Sequence, residues 1–378
     1  MYKITVIFGT RPEAIKFISI IKALSAVQEV NLQVVVTGQH REMLDQVLQA
    51  FQIVPDVDLA LMEPGQQLAG LSAKAIQKID LVLKDFAPQL VLVQGDTSTA
   101  FCAALAAFYQ KIPVGHVEAG LRTYNLEAPW PEEANRQLIS RVATLHFAPT
   151  ERSKTHLLSE QINPDSVFVT GNTAIDTLFL VKDQLNGHFP AKELETIFKN
   201  HKVVLITGHR RENFGAGFQQ ICEAIAALAK KYPDVHFVYP VHLNPNVQEP
   251  VYKALGNGKF ANIHLTTPLQ YLEFVPLLQQ SYLILTDSGG IQEEAPSLGK
   301  PVLVMRDTTE RQEAIEAGTA LLVGTQKDTI VSFTSRLLED SVFYQQMVAA
   351  QNPFGDGQAA QRIVNICLDY LSKTTSTK

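Results

Sequence analysis

The sequence predicts an α/β protein built from two Rossmann-like domains, each with a parallel sheet. The first observation is a series of short apolar runs that alternate with helix-length amphipathic segments. Runs that are apolar on both faces are typical of parallel sheets covered by helices. The second is an internal similarity, because Val6–Pro12 and Leu205–Arg211 both read as strand, glycine turn, basic residue and helix. The third is the length of 378 residues, which favours two domains over one core.

The predicted strands fall into two series along the chain. The first comprises Ile4–Phe8, Leu32–Thr37, Leu90–Gln94, Pro113–Val117 and Leu145–Ala148. The second comprises Val203–Thr207, Val235–Val241, Ile263–Leu265, Leu283–Thr286 and Pro301–Val304. Strands that alternate with helices form βαβ units with right-handed crossovers. We therefore predict one domain at residues 1–171 and a second at 172–358, with a final helix at 359–371.

Composition excludes several classes of protein. The net charge of −6 argues against nucleic-acid binding, which requires a basic face. No apolar run approaches the roughly 18 residues that a membrane span needs, and the N-terminus reads as a strand and not a signal peptide. Cys102, Cys222 and Cys367 are isolated, with no metal-ligand spacing around them. We expect reduced core cysteines in a cytosolic protein and no metal site.

The most informative segment joins His116–Thr123 to Pro129–Arg136. It contains three carboxylates, with Glu118 and Glu132 among them, and two guanidiniums, of which one belongs to Arg136. Proton transfer beside a departing anion needs acids and bases for the proton and arginines for the charge. The segment therefore indicates acid–base chemistry at a strand end.

Two further turns follow predicted strands of the first series. Arg11 and Lys16 lie where the first strand passes to a helix, a place that attracts anions. The alternative is a turn with solvated basic residues. Asp96 precedes another helix, where an N-cap aspartate is the alternative. Because ligands collect at the carboxyl ends of parallel strands, the shared sheet edge favours a site.

The second series contains a small-residue loop, Thr286–Glu294. Backbone N–H groups at Ser288, Gly289 and Gly290 can approach phosphate oxygens closely, and Glu294 lies one turn further on, within reach of a ribose. The alternative is a glycine-rich connector between strand and helix.

Two charged turns also lie at strand ends of this series. His209 is followed by two arginines, whose positive charge favours a neutral imidazole. The alternative is a capping histidine in a basic turn. Arg306–Arg311, taken alone, reads as a solvated turn.

A bound nicotinamide cofactor is not expected. Gly355–Ala360 fits the permissive GxGxxA pattern, but no strand precedes it. The sequence also has no Walker A motif, no GxSxG elbow, no HExxH and no Tyr-x-x-x-Lys pair.

Taken together, these loops resemble the non-hydrolysing UDP-N-acetylglucosamine 2-epimerases of bacteria. The resemblance extends from Phe8–Ala14 to Asn352–Gly357, nearly the whole chain. Its most specific motifs are Gly115–Arg122, Tyr239–Pro245 and Thr286–Pro301. It implies a GT-B-like fold in which two Rossmann-like domains face one cleft and the helix at 359–371 packs back on the first domain. It also implies a cytoplasmic homodimer that interconverts UDP-GlcNAc and UDP-ManNAc without a cofactor.

The resemblance assigns roles to individual residues. The catalytic residues of the family match Asp96, Glu118, Glu132 and His209, with Arg136 nearby. Its nucleotide contacts match Arg11, Lys16, Phe274, Ser288, Gly289, Gly290, Glu294 and Arg311. Some members bind a second UDP-GlcNAc as activator, and that site matches Gln39, Arg210 and His242 but not Glu42 or Gly65. Gln94 stands where the family usually has histidine, and Leu269 where it has a glutamine near the uracil.

The hypothesis in line with this family is elimination of UDP to give a 2-acetamidoglucal, followed by re-addition after protonation of the other face of C2. Asp96, Glu118 and Glu132 are the pool of acids and bases. The alternatives are a 2-epimerase of UDP-2,3-diacetamido-glucuronate, a hydrolysing relative that releases free ManNAc, a GT-B glycosyltransferase, and a non-catalytic sensor of nucleotide sugars.

Overall fold

The computed structural model describes residues 1–38, 41–63, 65–256 and 258–375. The chain divides into two compact units, which we call unit 1 and unit 2. Unit 1 comprises Met1–Leu180 together with the chain from Phe354 onward, and unit 2 comprises Val181–Pro353. The predicted division into domains at 1–171 and 172–358 stays a prediction.

Unit 1 contains a seven-stranded sheet within its described residues. Its strands are β1 (Tyr2–Phe8), β2 (Val30–Val36), β3 (Val57–Asp58), β4 (Leu90–Gln94), β5 (Val114–Val117), β6 (Leu145–Ala148) and β7 (Val167–Val169). Its helices are α1 (Arg11–Ser25), α2 (Arg41–Ala50), α3 (Leu68–Phe86), α4 (Ser98–Tyr109), α5 (Glu132–Val142), α6 (Glu151–Ser159), α7 (Thr173–Leu185), which continues into unit 2, and α16 (Ala359–Thr375), the last helix of the chain. A 3₁₀ turn covers Pro164–Ser166.

Unit 2 contains a six-stranded sheet within its described residues. Its strands are β8 (Lys202–Thr207), β9 (Val235–Pro240), β10 (Ile263–Thr266), β11 (Leu283–Thr286), β12 (Val302–Val304) and β13 (Ala320–Leu322). Its helices are α8 (Lys192–Asn200), α9 (Ala216–Lys231), α10 (Pro245–Leu255), α11 (Tyr271–Gln280), α12 (Gly289–Ser297), α13 (Gln312–Glu316), α14 (Lys327–Glu339) and α15 (Ser341–Ala349). A 3₁₀ turn covers Arg211–Asn213.

The two sheets share one topology. The order is β3-β2-β1-β4-β5-β6-β7 in unit 1 and β10-β9-β8-β11-β12-β13 in unit 2. Every adjacent pair is parallel. Both orders reverse direction in the middle, between β1 and β4 and between β8 and β11, as in doubly wound sheets. The crevice for a ligand in such a sheet lies outside the carboxyl ends of those central strands.

The central strands are apolar because helices cover both of their faces. All five residues of β4 are buried, as are the four central residues of β8 from Val203 to Ile206. Within unit 1, α16 packs against α1. Among the described residues, no helix combines the length and the apolar character needed to cross a bilayer.

The ten predicted strands all occur, with ends that shift by at most two residues. Three short strands were not predicted, namely β3, β7 and β13. All three are edge strands of two or three residues, so they pair on one side only and need little of the apolar pattern that marks central strands.

Candidate active site

Asp96 follows β4, at the point where the order of the unit 1 sheet reverses. The N-cap of α4 is Thr97 and not Asp96, because the Thr97 hydroxyl accepts the Ala100 N–H at 3.0 Å. The Asp96 carboxylate instead contacts Arg136, with Oδ2 2.5 Å from Nη2. Burial raises the pKa of Asp96, and the Glu118 carboxylate raises it further, although Arg136 opposes the shift. Asp96 is therefore a carboxyl group that resists ionisation more than an exposed one.

Glu118 follows the neighbouring strand β5 and has a positive φ of 62°. Non-glycine residues rarely adopt this conformation, and they do so mainly where surrounding contacts hold them. Here the Glu118 carboxylate forms an ion pair with Lys16 of α1. It also accepts hydrogen bonds from Gln94 Nε2 at 2.7 Å and Asn172 Nδ2 at 3.1 Å. Three donors from three segments thus orient one carboxylate, which is only 8% exposed.

Gly95 explains how closely these groups approach the β4 turn. A Cβ at this position would lie 3.3 Å from Glu118 Oε2, and the residue has a φ of 64°. Glycine is the residue that accepts both the conformation and the contact. The imidazole of His116 contacts the same turn, with Nε2 2.7 Å from the Gly95 carbonyl oxygen. Burial lowers the pKa of His116 to about 3, so this histidine is a neutral structural group.

Glu132 and Arg11 lie at the starts of helices in unit 1. Glu132 is the first residue of α5, is half-buried, and forms no hydrogen bond or ion pair with the residues that the structure describes. Its carboxylate is therefore available to a ligand. Arg11 is the first residue of α1 and is partly exposed.

Arg122, the second guanidinium of the segment that the sequence singled out, does not belong to the group around Asp96 and Glu118. Its side chain is completely buried and binds Glu160 through Nε at 2.6 Å and Nη2 at 2.9 Å. Nη2 also donates to Ser140 Oγ at 2.9 Å. These contacts hold the loop to α5 and to the end of α6, so Arg122 is a structural residue.

Two buried acids that are not among the predicted site residues support this group. Glu133 accepts the N–H groups of Thr123 and Tyr124, each at 3.0 Å, and lies 3.3 Å from Arg136 Nη1. Glu13 of α1 accepts the N–H groups of the turn after β1 and the hydroxyl of Thr97. Burial raises the pKa of Glu13 despite these hydrogen bonds. No local pattern distinguishes either residue from an ordinary acidic residue in the first turn of a helix.

His209 follows β8 at the corresponding point of the unit 2 sheet. Its ring stacks on His242 with centroids 5.2 Å apart. Burial lowers the pKa of His209, Asp287 opposes this, and His242 and Arg210 lower the pKa further. The predicted preference for neutral imidazole thus has burial as its main cause, and the neighbouring positive charge is a smaller one.

The glycine loop begins α12. Ser288 is the N-cap, and its own N–H donates to Thr286 Oγ1 at 2.9 Å. Gly289 and Gly290 form the first turn, where helix N–H groups have no intrahelical acceptor. A Cβ on Gly289 would lie 3.3 Å from Cζ of Arg311, so glycine allows this guanidinium to lie against the loop. The arrangement suits an anion.

A cluster of charged side chains surrounds Arg311. Its Nε contacts Glu293 at 2.8 Å and its Nη1 contacts Glu310 at 3.1 Å. Glu310 Oε1 also lies 3.6 Å from Arg210 Nη2. Burial opposes ionisation of Glu310, but Arg311 and Arg306 outweigh it and lower its pKa to about 2. Glu310 thus connects a residue of the predicted nucleotide site with one of the predicted second site.

The remaining predicted residues divide as follows. Glu294 is buried in α12, and Phe274 is half-buried near the start of α11. Gln39 lies outside the described residues. In the part of the chain that the structure describes, no group of three or more His, Cys, Asp or Glu side chains is arranged to hold a metal ion.

The predicted site residues thus form two groups. Unit 1 holds Arg11, Lys16, Asp96, Glu118, Glu132 and Arg136, and unit 2 holds His209, Arg210, His242, Phe274, Ser288, Gly289, Gly290, Glu294 and Arg311. The unit 1 group combines carboxylates in different environments with a lysine and an arginine, which suits proton transfer. The unit 2 group combines a helix N-terminus with guanidiniums and an imidazole, which suits a phosphate ester.

The chain is similar to known proteins in both sequence and structure. A family model described as UDP-N-acetylglucosamine 2-epimerase matches residues 22–368. The UDP-N-acetylglucosamine 2-epimerase of Yersinia pestis is 55% identical over 368 residues, which cover 96% of this chain and 97% of that protein. The crystal structure of UDP-GlcNAc 2-epimerase from Neisseria meningitidis bound to UDP-GlcNAc has a TM-score of 0.89 and 52% identity, covering 97% of this chain and 100% of that one.

A third relative shares the same fold. The S. aureus MnaA–UDP co-structure has a TM-score of 0.88 and 47% identity, with 98% of this chain and 97% of that chain covered. Together with the parallel sheets, these matches confirm the predicted α/β, GT-B-like fold class. The family match extends over most of the chain and agrees with relatives that are similar along almost their whole length. The chain therefore belongs to the UDP-N-acetylglucosamine 2-epimerase family, an isomerase family.

Proposed function

We propose that this protein interconverts UDP-GlcNAc and UDP-ManNAc by inverting C2 of the sugar. The observation that carries the proposal is the group of carboxylates around Asp96 and Glu118 at the reversal point of a parallel sheet, in a chain of this family. The relative from Neisseria meningitidis bound to UDP-GlcNAc supports the choice of substrate.

The chemistry requires that the bond between C1 and the diphosphate oxygen breaks. The hydrogen on C2 has no adjacent carbonyl to acidify it, so direct removal faces a high barrier. Departure of UDP builds positive charge at C1 and makes the C2 hydrogen acidic. Loss of that proton gives a 2-acetamidoglucal. Protonation of the opposite face of C2 and return of UDP to C1 then give the epimer, with no net change in atoms or electrons.

The two groups of residues have different tasks in this reaction. The charge that develops on the diphosphate needs cations and helix N-termini. We assign this task to Arg11, to the α12 loop from Ser288 to Gly290, and to Arg311, with His209 as a proton donor to the diphosphate. Lys16 also belongs to this group, and its ion pair with Glu118 couples the anion site to a carboxylate.

C2 needs a base on one face and an acid on the other. Asp96, Glu118 and Glu132 supply both, and all three remain candidates for either face. The raised pKa of Asp96 favours it as a group that holds a proton, while Glu118 is held by an ion pair with Lys16 and by hydrogen bonds from Gln94 and Asn172. Arg136 holds Asp96 in place.

Three further properties belong to the same proposal. The protein acts as a cytoplasmic homodimer without a cofactor, as the family resemblance implies. The matching positions Arg210 and His242 support a second site for UDP-GlcNAc beside His209, with Gln39 as its third predicted residue. Glu42 and Gly65 differ from that second site in the family, so its affinity is expected to be reduced.

The decisive experiment is turnover of UDP-GlcNAc in D₂O, followed by NMR of the recovered sugar nucleotide. Appearance of UDP-ManNAc with deuterium at C2 supports the proposal. Free ManNAc with UDP would identify a hydrolysing enzyme, and unlabelled, unchanged substrate would identify a transferase or a sensor. Conversion of UDP-2,3-diacetamido-glucuronate in place of UDP-GlcNAc would identify the related 2-epimerase.

A further inference from the structure

The turn that carries His209 is anchored by a buried carboxylate. Asp287, at the end of β11, is completely buried. Its Oδ2 accepts the N–H groups of His209 and Arg210, each at 2.8 Å, and Asn213 Nδ2 at 3.4 Å. Its other oxygen, Oδ1, has no hydrogen-bond partner among the described residues. A buried carboxylate oxygen without a donor is costly, so this atom needs an explanation.

A potential donor close to this oxygen is the imidazole of His209. His209 Nδ1 lies 3.7 Å from Asp287 Oδ1, too far for a hydrogen bond. The His209 side chain is 43% exposed, so it has room to turn. Hydrogen bonds of catalytic groups are often long without substrate and shorten in the complex.

We propose that Asp287 is the positioning residue of His209, with Oδ1 accepting the Nδ1–H once the ring has turned towards it. This contact leaves Nε2 as the ring atom that faces the diphosphate. The inference rests on the proposed function, because it takes His209 as the group that acts on the diphosphate. The ring acts in its doubly protonated form: Nε2 gives its proton to a diphosphate oxygen as the bond to C1 breaks, which leaves a neutral ring with its proton on Nδ1, and Nε2 takes the proton back when that bond forms again. Asp287 exchanges no proton in this step and only accepts the hydrogen bond.

The groups that face His209 shift its pKa in opposite directions. Arg210 on the same turn and His242, stacked on the ring from the turn after β9, both disfavour a second proton on the imidazole. Burial acts in the same direction and is the largest effect. Asp287 at the end of β11 opposes all three. Removing the charge of Asp287 should therefore lower the proton affinity of His209.

The test compares Asp287→Asn with Asn213→Ala. Asparagine keeps one oxygen that can accept the N–H groups of the turn, but its amide nitrogen cannot accept the Nδ1–H. Asn213→Ala loosens the same turn, because Asn213 Nδ2 also donates to the Met305 carbonyl at 3.1 Å, yet it leaves Oδ1 unchanged. The pKa of His209 is measured by NMR of ¹⁵N-histidine-labelled full-length protein with UDP, and His209→Gln assigns the signal.

We expect Asp287→Asn to lower the pKa of His209 by about one unit, a factor of ten in proton affinity. The alkaline limb of the kcat profile should move to lower pH by the same amount, so that kcat is reduced roughly tenfold on that limb and recovers at lower pH. In Asn213→Ala the pKa of His209 should not move, and any loss of kcat should be equal at every pH. An unchanged His209 pKa in Asp287→Asn, or a loss that does not depend on pH, would overturn the proposal.

A measurement on the unmodified protein covers the case in which Asp287→Asn does not fold. The ¹⁵N shifts of His209 with UDP bound should show a proton on Nδ1, and a neutral ring protonated on Nε2 alone would refute the inference. These shifts do not depend on turnover. If UDP-GlcNAc is not epimerised but Nδ1 carries the proton, the proposed function fails while the role of Asp287 stands.

Discussion

Replacing Arg122 by methionine should destabilise unit 1 without removing a catalytic group. The guanidinium is completely buried and forms two hydrogen bonds with Glu160 and one with Ser140. Removing one partner of a buried ion pair typically costs about 3–5 kcal/mol, because the other charge stays behind. Glu160 keeps 15% of its side chain exposed, so water can partly solvate it. We therefore expect a loss near the lower end of that range, about 3 kcal/mol.

The assay is urea unfolding of the full chain, followed by circular dichroism, with UDP-GlcNAc turnover measured on the folded protein. The double variant Arg122→Met/Glu160→Met should regain most of the loss, because two apolar side chains leave no unpaired charge. Arg141→Met is the matched control. Arg141 is exposed and donates to the Glu160 backbone carbonyl at 2.8 Å, so its replacement should cost less than about 1 kcal/mol.

Two results would refute the reasoning. A loss below about 1 kcal/mol in Arg122→Met would mean that the buried pair is not a major contributor to stability. A fall in kcat of more than tenfold at unchanged stability would place Arg122 among the charged groups of the active site.

The other predictions concern the carboxylates, one glycine and one buried acid. Asp96→Asn, Glu118→Gln and Glu132→Gln should each lower kcat by at least about 10²-fold while UDP binding by calorimetry persists, and near-normal turnover would remove that residue from the chemistry. Gly120→Ala should abolish folding or lower the unfolding midpoint strongly, because its Cβ would lie 2.2 Å from a backbone oxygen of α6 at a φ of 90°; normal thermal unfolding would contradict this. Burial raises the pKa of Asp176 to about 6. The protonated carboxyl therefore contributes to stability at pH 4, and this contribution is lost as the pH rises through 6 and the buried group ionises. Asp176→Asn should therefore stabilise the protein by on the order of 2 kcal/mol at pH 7 and by much less at pH 4. Equal urea midpoints for the two proteins at pH 7 would count against this.

The fold could be read from the sequence because burial on both faces leaves a strong pattern. The central strands β4 and β8 contain apolar runs of four residues, Leu90–Val93 and Val203–Ile206, and the turns that follow them contain glycine. The short strands β3, β7 and β13 were not predicted because an edge strand of two or three residues carries too little pattern. The sequence placed Asp96 and His209 at the carboxyl ends of strands, where ligands collect, and the structure shows that both of these strands adjoin the reversal points of their sheets.

The sequence could not show which neighbours surround each site residue. Asn172 contacts Glu118 although 54 positions separate them, and Asp287 contacts His209 across 78. Such contacts depend on strand pairing and side-chain direction, which a local motif does not encode. The motif did not reveal the structural contacts of Arg122 for the same reason, because its binding partner Glu160 lies beyond the motif.

The turn after β1 in unit 1 is held by the carboxylate of Glu13. One of its oxygens accepts the N–H groups of Gly9 at 3.0 Å and Thr10 at 2.8 Å. The other accepts the hydroxyl of Thr97, in the turn after β4, at 2.6 Å. One buried side chain thus connects the two turns on either side of the reversal point of this sheet.

In unit 2 a buried carboxylate also holds the corresponding turn, but it comes from a different position in the chain. Asp287 belongs to the turn after β11, and its carboxylate reaches the N–H groups of His209 and Arg210 in the turn after β8. At a reversal point the adjoining helices leave on opposite faces of the sheet, so the two turns lack a shared covering helix. In each unit a buried carboxylate accepts the N–H groups of one turn and is joined to the other turn, by a hydrogen bond from Thr97 in unit 1 and by the chain itself in unit 2. It fixes both turns before any ligand arrives, which is the condition for electrostatic stabilisation without reorganisation. The repeated turn is visible in the sequence. The acid that fixes it comes from α1 in one unit and from a strand end in the other. The shared use of a buried carboxylate is therefore visible only in the three-dimensional structure.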